Sequence, residues 1–169
     1  YASAVQPVET TVIYDKGSKP VDQDAVAMIQ VLVCDYARRT RRFLLAVADG
    51  VGTTTDGQVA SKLCTETLER VMAPKLSENN VNFQELLVEA FSEANKILLS
   101  AKGNGHMAST LTACVVDWDT LVVVHVGDSR AYVIRGNQVH RLTKDHNLAG
   151  SDNVLTRWIG QDNFQVDQD

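Results

Sequence analysis

Three acidic sites in this sequence stand at the edges of apolar runs. Asp22-Gln23-Asp24 opens the run that begins at Ala25, Asp49 ends Phe43-Leu44-Leu45-Ala46-Val47-Ala48, and Asp128 follows Val126-Gly127 and leads into Ser129-Arg130. A single carboxylate in such a place is well explained as the cap of a turn or helix. Three of them at strand ends in one small domain are a stronger signal. Oxygen ligands on rigid supports suit a hard cation, magnesium or manganese, better than zinc.

The stretch after Asp49 admits a rival chemistry. A buried strand, a glycine-rich turn and a helix also describe a loop that cradles nucleotide phosphates. Gly50, Gly52 and Gly57 give neither the dinucleotide nor the Walker spacing, and no Lys-Ser/Thr follows them. Asp49 would also set a negative charge where phosphates belong, whereas a carboxylate there can hold a cation that in turn attracts phosphate. The metal reading is the stronger one.

The elements that must position these carboxylates can be read from periodicity. Val8 to Tyr14 and Ala25 to Cys34 are rich in β-branched and apolar residues and read as strands, and Phe43 to Ala48 reads as a strand buried on both faces. Arg38-Arg39-Thr40-Arg41-Arg42 lies between the last two, as a solvated hairpin turn or as a docking patch for an acidic partner. A helix is expected from about Gly57 to Met72, with Ala60, Cys64, Leu68 and Met72 as its stripe, widened by Val59, Leu63 and Val71. Thr55 and Gln58 resemble its capping box, and Pro74 ends it. A second helix follows Asn82, which forms a cap-like pair with Glu85, and Gly103 and Gly105 close it. Strands then return at Thr110 to Val116, Thr120 to Val126, Ala131 to Arg135 and Gln138 to Leu142, with turns at Asp117-Trp118-Asp119 and Gly136-Asn137. This order is α+β and not alternating α/β.

Composition bounds the rest. The chain has 169 residues, 44% of them hydrophobic and 22% charged, enough for one domain with a sizeable core. A net charge of −5 argues against a general nucleic-acid binder. No apolar run approaches the length of a membrane span. The sequence begins at Tyr1 rather than Met, so an upstream segment is expected to be absent from it. Cys34, Cys64 and Cys114 form no metal-binding or redox spacing and are expected to be buried, reduced thiols, which suits the cytoplasm.

The motifs together resemble a known family. Asp49-Gly50-Val51-Gly52, continuing to Gly57-Gln58-Val59-Ala60-Ser61, looks like the aspartate-glycine motif of the type 2C metal-dependent serine/threonine protein phosphatases, in their compact bacterial form. Gly127-Asp128-Ser129-Arg130 resembles that family's Gly-Asp-Ser-Arg motif, and Leu142-Thr143-Lys144-Asp145-His146 its Leu-Thr-x-Asp-His. Asp22-Gln23-Asp24 fits the acidic N-terminal motif, Ala108-Ser109-Thr110 a strand start, and Asn153-Val154-Leu155-Thr156-Arg157 a later helix start. The collinear order of these motifs makes a specific signal.

The resemblance implies a β-sandwich flanked by antiparallel helix pairs, a four-layer αββα arrangement whose C-terminal part is missing here. It implies two or three manganese or magnesium ions at one end of the sandwich and a bridging water that attacks phosphoserine or phosphothreonine. Asp49 would bridge two metals, the Gly50 carbonyl would bind one of them, Asp24 would act in or just outside the ligand shell, and Asp128 would hold a looser third ion. Partners would be phosphoproteins of an opposing serine/threonine kinase, met by a monomer in the cytoplasm, with no nucleic acid and no membrane.

Departures from the family pattern are also legible. Lys19 stands where the family has a phosphate-clamping arginine, which keeps the charge and loses the bidentate fork. Thr53-Thr54-Thr55 replaces a histidine, leaving the general acid unassigned and a metal-held water to serve. His106, His125, His140 and His146 are expected to make structural hydrogen bonds. Only Asn147 to Asp152 stand where the family has a flap, and two later metal-binding aspartates are absent before the chain ends at Asp169. Residues are therefore expected to be missing between Gly150 and Ser151 and after Asp169. The alternative is a catalytically inactive phosphatase-like module that binds a phosphoprotein or regulates a kinase.

Overall fold

The computed structural model describes residues 9–15, 17, 21–34, 39–52, 55–101, 107–151 and 154–166, the side chain of residue 55 excepted. In chain order the elements are β1 (Asp24–Cys34), β2 (Arg39–Asp49), α1 (Thr55–Met72), α2 (Phe83–Ala101), β3 (Leu111–Asp117), β4 (Thr120–Val126), β5 (Tyr132–Arg135) and β6 (Gln138–Arg141). The first four strands form one antiparallel sheet in the order β1-β2-β3-β4, and β5-β6 is a separate hairpin. The chain is thus α+β with antiparallel sheets and a helix pair. No helix among the described residues is long and apolar enough to cross a membrane.

The alternation expected of strands chooses what each face meets. Leu44, Ala46 and Ala48 of β2 and Leu111, Ala113 and Val115 of β3 are buried in one core with the stripe Ala60, Cys64, Leu68 and Met72 of α1. The second helix adds Leu87, Ala90, Phe91, Ala94 and Leu98. Val59 falls outside this stripe and is 43% exposed, so the apolar face of α1 is narrower than its sequence suggests. The opposite sheet face carries Met28, Leu45, Val47 and Cys114, which with Thr11 and Ile13 line an apolar groove of about 470 Å³.

Several local expectations are corrected. Residues 9–15 form no strand, although Val12, Ile13 and Tyr14 favour one, because among the described residues no strand pairs with them. Leu155 to Arg157 do not start a helix; Leu155 forms an isolated bridge with Asn147, and Thr156 N–H donates to the His146 carbonyl at 2.7 Å. Cys34 is exposed at the end of β1, Cys64 is buried and Cys114 lies between the two. Burial pushes the Cys64 thiol up to about 12, so it is inert. The second helix starts as expected, with Glu85 N–H donating to Asn82 Oδ1 at 3.3 Å. Gly103, Gly105, His106 and Asn153 lie outside the described residues.

The arginine-rich stretch is not simply a turn. Arg39, Arg41 and Arg42 belong to β2, and Arg42 is 8% exposed on the helix side of the sheet. Its Nη1 donates to the carbonyls of Leu76 at 3.0 Å and Glu78 at 2.6 Å, and its guanidinium lies over the Phe83 ring. Asp117 Oδ1 stands 3.0 Å from Nε but off the N–H axis, so that pairing is ionic rather than a hydrogen bond. Arg42 therefore pins the segment between α1 and α2 to the sheet. Replacing Arg42 with Leu should lower stability by about 3 kcal/mol in urea melts, since a buried carbonyl, a part-buried one and a carboxylate lose their partner. A loss under about 0.5 kcal/mol, the range of ordinary surface changes, would refute the pinning role.

Candidate metal centre

At one end of the sheet Asp24 and Asp49 are directly opposed in the β1–β2 register. Both line one cleft of about 240 Å³, with Asp15, Tyr14 and Ser129 on its other walls. Like charges facing each other across a strand pair repel. Such a pair is stable when a cation lies between the carboxylates, and carboxylate oxygens match a hard divalent ion. Asp22 does a different job: its Oδ1 accepts the N–H of Asp24 at 3.0 Å and shapes the turn that starts β1.

The backbone at Asp49 is held on both sides. Its N–H donates to Thr110 Oγ1 at 2.9 Å, and its carbonyl accepts the Thr110 N–H at 2.8 Å. Ser109 Oγ stands 3.1 Å from the same carbonyl. Gly50 N–H donates to the Gln23 carbonyl and Val51 N–H to that of Ala108. Ser109 in turn exchanges backbone hydrogen bonds with Ile159, whose follower Gly160 donates to Asn95 Oδ1 at 2.6 Å. A network from α2 thus reaches the strand end that carries Asp49.

Gly50 is glycine because α1 leaves no room for anything else. A Cβ on Gly50 would fall on the carbonyl oxygen of Gly57, and one on Gly57 would stand 2.6 Å from Gln23 Nε2. The two glycines let the start of α1 close over the strand end. Gly50→Ala should therefore cost about 3 kcal/mol of stability by overpacking, read from thermal unfolding, and should weaken Mn2+ binding in calorimetry. An alanine variant with wild-type stability and metal affinity would contradict this account.

The Asp128 turn is built by the 142–146 segment. His146 N–H donates to the Gly127 carbonyl at 2.8 Å, and Gly127 N–H returns to His146 Nδ1 at 3.1 Å. Because Nδ1 accepts there, the proton of the neutral ring sits on Nε2. Gly127 has φ +115°, and a Cβ on it would meet the Thr110 side chain at 2.5 Å. Asp145 pairs with Arg130 at 2.6 Å and with Arg141, and the Arg130 hydrogen bonds hold its carboxyl below the usual carboxylate range. The Asp-His end of the motif is therefore a clamp on the Gly127–Arg130 turn.

The structure brings Asp24 and Asp49 together, with Gly50 immediately beyond. Asp128 is half-buried at the end of β4 and does not join them: among the described residues no three carboxylate, histidine or cysteine side chains converge on one point. Lys19 lies outside the described residues, as do Thr53 and Thr54. Sequence reasoning missed Ser109, Thr110 and Asn95 as positioning groups. Thr110 meets Asp49 across 61 positions of chain, and neither periodicity nor motif spacing reports such a contact.

Residues 18–165 match the family model described as protein phosphatase 2C. The chain belongs to the protein phosphatase 2C family. It is 34% identical over 121 residues to the serine/threonine phosphatase stp of Listeria welshimeri, a match that covers 67% of this chain and 47% of that protein. It is 25% identical to the protein phosphatase PhpP of Streptococcus pneumoniae, covering 95% of this chain and 71% of PhpP. This protein phosphatase 2C chain thus spans about half the length of the Listeria relative and more of the streptococcal one. Its fold is similar to the catalytic domain of the serine/threonine phosphatase PstP in complex with two manganese ions, with a TM-score of 0.64, 23% identity, and coverage of 85% of this chain and 70% of that one.

Two histidines of this phosphatase 2C chain support the Asp128 turn. His125 and His146 stack with centroids 4.9 Å apart. His125 Nδ1 lies 2.8 Å from Thr112 Oγ1 and Nε2 3.2 Å from the Lys144 carbonyl. Burial, and then the neighbouring His146, lower the His125 pKa below its ordinary 6.5, against the opposing pull of the Lys144 and Gly127 carbonyls and of Asp145. His140, by contrast, is exposed on β6. The unfolded chain takes up a proton at His125 near pH 6.5 while the folded chain still resists it. Stability is therefore fully present above pH 6.5 and falls as the pH drops from there toward the lowered folded value. Urea melts between pH 7.5 and 5.5 should show a steeper loss in the wild type than in His125→Gln, and equal slopes would exclude His125 as the cause.

Proposed function

We propose that this chain carries the metal-binding end of a protein phosphatase that hydrolyses phosphoserine and phosphothreonine in proteins. The observation that carries the reading is the in-register Asp24–Asp49 pair lining one cleft in a chain of the protein phosphatase 2C family. In this reading residues 1–169 are one domain and part of a longer phosphatase.

Asp24, Asp49 and the Gly50 carbonyl would hold two manganese or magnesium ions, and Asp128 a further one. Bound there, the cations would acidify water for attack on phosphorus and would neutralise charge on the phosphoryl oxygens. The chain's own work is positioning. The Asp49 backbone is fixed by Ser109 and Thr110, and the Gly50 and Val51 that follow it by Gln23 and Ala108, so its carboxylate is presented from a support that does not have to reorganise. Asp24 is the more exposed of the pair. Lys19 is assigned to the phosphate as a point charge rather than a bidentate clamp. The substrates are phosphoproteins of an opposing kinase, acted on by a cytoplasmic monomer that binds neither nucleic acid nor membrane.

The test is phosphate release from a phosphothreonine peptide by the full-length protein with Mn2+. Turnover should require the metal and fall at least about a hundredfold in Asp49→Asn, the scale for losing one preorganised electrostatic group. Unchanged turnover in that variant would end the role assigned to Asp49. Tight binding of the peptide without turnover at saturating metal would instead make the chain an inactive binding module.

A further inference from the structure

The cleft has a wall that is neither carboxylate nor apolar. Ser129, directly after Asp128, is half-buried and lines the space beside Asp24 and Asp49. Its Oγ lies 2.8 Å from Thr110 Oγ1. The direction of that bond follows from the other partner of Thr110. Asp49 N–H donates to Thr110 Oγ1 at 2.9 Å, which fixes that oxygen as an acceptor in this contact. Thr110 is 1% exposed, so its own hydroxyl proton needs a partner within the protein. Among the described residues the acceptor within reach is Ser129 Oγ. A hydroxyl carries one proton and two acceptor sites. With Thr110 donating, Ser129 keeps its proton, and no hydrogen bond to a described acceptor consumes it.

We propose that Ser129 is a phosphoryl-binding residue, its hydroxyl aimed into the Asp24–Asp49 cleft by Thr110 so that it donates to a phosphoryl oxygen. The inference rests on the phosphatase reading above and adds a residue to it. Asp24 and Asp49 repel a phosphate dianion directly and favour it only through the cations they hold. Oxygens of the phosphoryl group turned away from those cations need donors that bring no negative charge. A neutral hydroxyl on the neighbouring wall meets that need, and its orientation is set before the ligand arrives. Thr110 is the positioning residue. Its hydroxyl takes the Asp49 N–H and gives its proton to Ser129, and its methyl fills the space that a side chain on Gly127 would need.

Calorimetric titration of inorganic phosphate into the Mn2+-loaded, full-length protein tests this, with Mn2+ affinity and thermal midpoint measured on each variant. Ser129→Ala should bind phosphate about tenfold more weakly, the scale of one hydrogen bond to a charged acceptor, and keep wild-type Mn2+ affinity and midpoint. Its KM for a phosphothreonine peptide should rise by more than its kcat falls. Thr110→Ser retains the hydroxyl and should keep phosphate affinity, whereas Thr110→Val should lose it as Ser129→Ala does. Unchanged phosphate affinity in Ser129→Ala overturns the proposal. So does a loss of Mn2+ affinity equal to the loss of phosphate affinity, which would place the hydroxyl with the metal. A wild type that binds no phosphate also overturns it. A wild type that binds phosphate but hydrolyses no peptide sinks the phosphatase reading alone, because the phosphate titration still decides Ser129.

Discussion

Asp24 and Asp49 stand opposite each other on paired strands, and the strand ladder and the groups around Asp49 keep them there. Two carboxylates so placed repel, and the repulsion must be overcome by the fold that holds them until a cation relieves it. The long β1–β2 ladder does most of that. It runs from the Asp24–Asp49 pair to Cys34–Arg39, so separating the carboxylates would mean breaking continuous backbone pairing. The β3 strand then locks β2 from its other side, helped at the Asp49 end by Ser109 and Thr110 just before it.

The same constraint explains why hydroxyls and glycines crowd this end. Beside Asp24, Asp49 and the Asp15 of the same cleft, hydroxyls satisfy backbone groups without adding charge. Thr110 and Ser109 do so for Asp49, and Thr110 also reaches Ser129. Gly50 and Gly57 allow α1 to approach the strand end, and Gly127 allows the Asp128 turn to pack against Thr110. At the far end of β2 the problem is different. There Arg42 is buried among carbonyls and the Phe83 ring, and its charge is spent on holding the connection between the helices.

Much of this was legible in the chain. The stripe of α1, the Asn82 cap of α2, the Gly136-Asn137 hairpin and the turn at Trp118, with its φ of +57°, all follow from local chemistry. The acidic motifs announced themselves as carboxylates at strand ends, and their collinear order pointed to the phosphatase family. Residues 9–15 misled because strand propensity has no meaning without a partner strand. Arg39, Arg41 and Arg42 misled because charge suggests solvent, whereas Arg42 is buried by contacts from positions 76, 78 and 117.

What the sequence by itself determined is the two helices and the six strands that pair, their order, the family and the acidic residue types at strand ends, because periodicity, turn chemistry and motif order are local properties. Only the tertiary structure decided which of those carboxylates meet. It set Asp24 against Asp49, kept Asp128 apart on its own clamped turn, and joined the two through Thr110. The physical reason is register. Strand pairing and the closing of α1 bring together groups tens of residues apart, and a hydrogen bond between them leaves no periodic trace in the chain.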